Sequence, residues 1–174
     1  MLYSSDGGLV TGRDLYGKKR FIVFFDWQTR DEQAIAQTYL QVMQKAKSDL
    51  EAAGYDVMFG QLKFPGRDRP PMNDTDLRDF VSQAQVTVKD GGPLPLPRTY
   101  RYPNNMEYSP ANDIGLEGST TLIEYLGSSP AILIVDERGI VQWHSEGKST
   151  DPEQKLPDDV YTAIAAVKHA LGAK

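Results

Sequence analysis

The chain contains no cysteine and two histidines, His144 and His169. Thiolate nucleophiles, disulfide exchange, cysteine-held zinc and iron–sulfur clusters are therefore excluded from its chemistry. A metal site built from several histidines is nearly excluded as well, and no cofactor is expected. What remains is oxygen and nitrogen chemistry, concentrated in two stretches. Trp27, Gln28, Thr29, Arg30 and Asp31 follow an apolar run and open a helical pattern. Free backbone N–H groups at a helix start, with donors from Gln28 and Arg30, suit an anion or a polar ligand. The same residues have a plainer use, in which Thr29 and Asp31 cap the helix and Trp27 packs beneath the loop. Arg98, Tyr100, Arg101 and Tyr102 lie in a proline-rich stretch, and tyrosine and arginine are effective binding anchors. That stretch also fits a rigid insertion packed on its own body.

The remaining candidates carry less. Trp143 and His144 alternate on a strand, so they point to opposite faces, and a lone histidine there reads as a surface residue. His169 sits near the end of the last helical pattern, where a cation suits the negative end of the helix dipole. No serine has the surroundings of a nucleophile elbow. Met43, Met58, Met72 and Met106 do not cluster as copper ligands would.

The elements that position these residues are legible from periodicity. Residues 21–26 are apolar and rich in β-formers, the pattern of a strand buried on both faces. Thr29 with Glu32 forms a capping box. Ile35, Tyr39, Val42, Met43, Ala46 and Leu50 follow at helical spacing, and Gly54 stands where a helix-ending glycine belongs. A second strand is expected over 55–62. A shorter helix starts at Asp74 or a neighbour, with Leu77, Phe80, Val81 and Ala84 on one face, and another runs from Ser119 to Leu126. Strands over 131–135 and 140–145 flank a turn at Asp136–Gly139, with the glycine placed for positive φ. Pro157 opens the last helix, with Val160, Ile164, Val167 and Leu171 as its expected buried stripe. Two proline-rich stretches, 64–73 and 89–113, read as loops. The second carries five of the eleven prolines, and a loop of that length in a compact domain is usually functional.

Composition bounds the rest. A chain of 174 residues is the length of one domain, and its 40% apolar content can fill a core without staples. Lys+Arg 19 against Asp+Glu 24 leaves a net charge of −5, which argues against nucleic acid as the main partner. The apolar runs are strand-length and too short to span a membrane. The first residues lack the pattern of a signal peptide, which leaves a cytoplasmic protein or the mature part of an exported one.

The order of elements, β-α-β-α, then α-β-β-α, resembles the thioredoxin fold. Leu15, Gly17 and Lys18 before the run Phe21–Phe25 are similar to the opening of redoxin domains of the TlpA and AhpC types. Trp27 stands where those families place the tryptophan before their Cys-x-x-Cys. Ser129 to Gly147 resembles their segment in which a cis proline precedes a strand, a glycine turn and a return strand. The resemblance covers roughly 9–172 apart from the two proline-rich stretches. It implies an α/β thioredoxin-like fold with a central mixed β-sheet flanked by helices, and a proline-rich insertion over about 89–113. It also implies a cis Pro130 beside which a substrate backbone lies, or a proline kept only for its turn. An extracytoplasmic or periplasmic location is a further implication of the resemblance.

The departure is as informative. The two thiol positions correspond to Gln28 and Asp31, neither of which exchanges disulfides, so the fold is inherited without its chemistry. Two function classes follow. A binding module would hold a protein segment or small ligand against Trp27, Gln28, Thr29, Arg30, Asp31, Ser129 and Pro130, with Arg98, Tyr100, Arg101 and Tyr102 as a wall. An enzyme would use Asp26, Asp31, Arg30 or His144 in non-thiol chemistry. The absence of a catalytic constellation favours binding. Insulin reduction and peroxide consumption by the purified protein are expected to match buffer alone; reproducible turnover in either assay would refute the exclusion of thiol chemistry.

Overall fold

The structure, a computed structural model, describes residues 2–4, 9–10, 14, 16–25, 29–61, 72–101, 130–145 and 157–172. Its elements in chain order are β1 (Leu2–Ser4), β2 (Leu9–Val10), β3 (Lys19–Phe25), α1 (Arg30–Ala52), β4 (Tyr55–Gln61), α2 (Asp74–Ala84), β5 (Thr87–Val88), β6 (Gly92–Pro93), β7 (Arg98–Arg101), β8 (Ala131–Val135), β9 (Val141–His144) and α3 (Pro157–Ala170). One mixed sheet has the order β2-β1-β7-β4-β3-β8-β9, and β5 and β6 form a separate hairpin.

β3 lies inside the sheet, between β4 and β8, because its residues satisfy two buried faces at once. It pairs parallel with β4 along its whole length, Lys19 with Tyr55 through Phe25 with Gln61, and antiparallel with β8 from Arg20–Val135 to Phe24–Ala131. Side chains alternate across a strand. Phe21, Val23 and Phe25 therefore join Val57, Phe59, Ile132 and Ile134 on one face, in a core shared with all three helices. Ile22, Phe24, Met58, Leu133 and Val135 are buried on the other. The hairpin β8–β9 is antiparallel as expected, and Gly139 turns it at φ +79°.

The helices begin and end where the sequence marks them. Thr29 accepts from the Glu32 N–H at 3.1 Å while Glu32 accepts from the Thr29 N–H at 2.8 Å, closing the capping box of α1. Asn73 and Asp76 build the equivalent box on α2. Buried Gln44, midway along α1, donates to the Ala84 carbonyl at 2.8 Å and accepts from the Val86 N–H at 2.9 Å. This one side chain satisfies backbone groups where α2 ends and the β5–β6 hairpin begins.

Two expectations are corrected. The stretch 89–113 is not wholly a loop: Arg98–Arg101 form β7 inside the main sheet, parallel to β4 and antiparallel to β1. Proline masked the strand by its own poor β propensity, although the four residues that pair contain none. The inner stripe of α3 is Ala163 and Ala166, both fully buried, with Val167 and Ala170 packed beside them. Ile164 and Leu171 instead remain more than a third exposed. Small residues let the backbone of α3 lie close to α1, an option that hydrophobicity alone does not reveal. The helix expected over 119–126, and the side chain of Val160, fall outside the described residues.

At the amino ends of the parallel strands, Asp56 of β4 forms ion pairs with Arg20 of β3 and Arg98 of β7 through the same oxygen, Oδ2. Arg20 also donates from Nη2 to the Asp14 carbonyl at 2.5 Å. Burial, then the neighbouring Arg98 cation, lowers the pKa of the Arg20 guanidinium. Arginine stays charged under such a shift, so the buried cation depends on Asp56. Asp56→Asn is expected to cost about 3 kcal/mol in urea unfolding, because removing one partner strands a buried charge. An unchanged stability would show that the pair contributes nothing net.

The β8–β9 turn carries the other shifted group. Asp136 accepts from the Ile140 N–H and from the Arg138 N–H, each at 2.9 Å, and from the Gln142 amide at 3.1 Å. The Ile140 N–H first, then the side chain and N–H of Arg138, hold its carboxyl below the ordinary range. A depressed folded pKa contributes stability that is full above the unfolded value and lost as pH falls through the folded one. Asp136→Asn is therefore expected to flatten the acid limb of the melting temperature against pH below the ordinary aspartate range. A curve parallel to wild type would contradict the assignment.

Candidate functional site

The carboxyl ends of β3, β4 and β7 meet the N-termini of α1 and α2 at one end of the sheet. In open α/β sheets this is where ligands bind. β3 finishes at Phe25, and its ring stacks on Phe59 of β4 at 4.7 Å and on Phe80 of α2 at 5.0 Å. Three aromatic rings from three elements thus make a stiff floor beneath that end. Ala131 pairs with Phe24, so the buried residue before it, Pro130, lies at the same end as the start of α1.

On this floor the described polar groups have definite employment. The Thr29 hydroxyl accepts from the Glu32 N–H in the cap of α1, which leaves its O–H as a donor. Arg30 and Asp31 begin the helix and are exposed. Gln61 and Arg101, the last residues of β4 and β7, are both buried, and Arg101 Nε meets Asp74 Oδ1 in the first turn of α2 at 2.6 Å. This ion pair fixes the end of β7 to the start of α2. A positive end of a helix dipole is a poor neighbour for a guanidinium, and Asp74 offsets it.

The expected site residues therefore divide. Thr29, Arg30, Asp31 and Pro130 are brought to one end, and Trp27, Gln28 and Ser129 lie outside the described residues, as does Tyr102. The loop candidates do not form an exposed wall. Tyr100 is 1% exposed and Arg101 3%, both inside strand β7, so neither side chain is available as a surface anchor. Arg98 is exposed but stands at the opposite end of the strand, paired with Asp56. A four-residue strand has its ends about 10 Å apart, which separates Arg98 from the carboxyl end of the sheet.

The histidines do not assemble a centre either. Trp143 packs against the core with its ring tilted beside His169 of α3, centroids 5.9 Å apart, while His144 pairs across to Leu133 with its Nδ1 3.1 Å from the Ser145 carbonyl. Asp136, whose carboxyl is shifted, follows β8 and lies at the amino end of β3, away from Pro130. Among the described residues no group of three His, Asp or Glu side chains could hold a metal ion, and no helix is long and apolar enough to cross a membrane.

Sequence reasoning missed the roles of Arg20, Asp56 and Gln44. The signal for the first was present: an arginine opening an otherwise apolar strand requires a buried acceptor, but the sequence does not say which acid lies beside it.

No protein-family model matches the chain, and no curated protein matches it. Solved structures do. One assigned as a thiol:disulfide interchange protein, DsbE, from Chlorobium tepidum superposes at TM-score 0.54 with 16% identity, over 98% of this chain and 92% of that one. The bacterioferritin comigratory protein of Xanthomonas campestris, described for alkyl peroxide reduction, gives 0.55 with 12% identity, over 97% and 90%. Peroxiredoxin Q of the same organism gives 0.53 with 14% identity over the same shares. At these identities the likeness shows the fold and leaves the activity to this chain's own residues.

Thr29→Ala is expected to lower stability by about 1 kcal/mol in urea unfolding, the usual cost of an N-cap. Arg30→Ala, at an exposed position, should stay within about 0.5 kcal/mol of wild type. The reverse order would mean that Arg30 has a structural role and Thr29 none.

Proposed function

We propose that this chain, a thioredoxin-like fold with no cysteine, is a binding module that takes a protein segment or small ligand at the carboxyl end of its sheet. Trp27, Gln28, Thr29, Arg30, Asp31, Ser129 and Pro130 are the contributing residues. The observation that supports this reading is the convergence of the α1 start and the residue preceding β8 at one end, over the stacked floor of Phe25, Phe59 and Phe80. In the related fold that end performs disulfide or peroxide chemistry through cysteine. Here Gln28 and Asp31 occupy the thiol positions, so recognition without turnover is what the scaffold retains. Pro130 at the head of β8 leaves neighbouring backbone for an extended segment to pair with. The rigid floor limits the reorganisation that binding costs. With Tyr100 and Arg101 buried in β7, the contact surface rests on the α1 start and on Ser129 and Pro130.

Selection of a random linear-peptide library against the purified protein tests this. Peptides enriched on the wild type should bind Trp27→Ala or Arg30→Ala about 30-fold more weakly, the 2 kcal/mol of a true anchor, with melting temperature unchanged for Arg30→Ala. Enriched peptides that bind both variants like the wild type would place the binding surface elsewhere. A selection that enriches nothing would remove the protein-segment form of the reading.

A further inference from the structure

We draw no further inference here: the strongest candidate, the outer edge of the sheet where exposed Ile140 and Val141 of the β8–β9 hairpin lie beside Tyr16 packed on Gly139, is an unpartnered apolar rim, and nothing in the structure shows what covers it.

Discussion

Asp56 holds two arginines from the two strands on either side of it, and the order of the central sheet depends on that arrangement. β4 lies between β3 and β7, both parallel to it, and parallel strands have no tight turn to set their register. Hydrophobic side chains choose a face but tolerate a shift of two residues along the strand. A carboxylate that must meet Arg20 on one side and Arg98 on the other does not, because a shifted register would leave a buried guanidinium without its counter-charge. The pairing of Arg20 with Asp56 in the ladder is the register in which charge and apolar patterns agree.

Pinning the strands at their amino ends frees their carboxyl ends for other use. There the chain departs from β3 into α1 and returns into β8 at Ala131. The second arginine–aspartate pair, Arg101 with Asp74, closes the far side by joining β7 to α2. β7 is thus held at both ends by ion pairs with acids from neighbouring elements. A short strand with proline on its approach gains from side chains what its few ladder bonds do not supply.

The contacts that hold this fold together do not depend on thiol chemistry. Capping boxes, aromatic stacking and the buried Gln44 bridge stabilise the fold, and none of them uses sulfur. The frame therefore stands without cysteine.

Local patterns alone were sufficient for much of this. The apolar run at 21–25, the Thr29–Glu32 box, Gly54 and Gly139 at positive φ, and Pro157 at a helix start each concern residues within a few positions of one another, where propensity and capping act directly. The absence of cysteine settled the excluded chemistry before any coordinate was known. Only the tertiary structure decided that Arg98–Arg101 form a strand, that Tyr100 and Arg101 are buried within it, and that α3 turns alanines inward. Those outcomes depend on partners distant in the chain: β4 and β1 for the strand, Asp56 and Asp74 for its arginines, and α1 for the helix. Burial of an arginine or the choice between alanine and isoleucine at an interface is a property of what lies opposite, and periodicity contains no term for that.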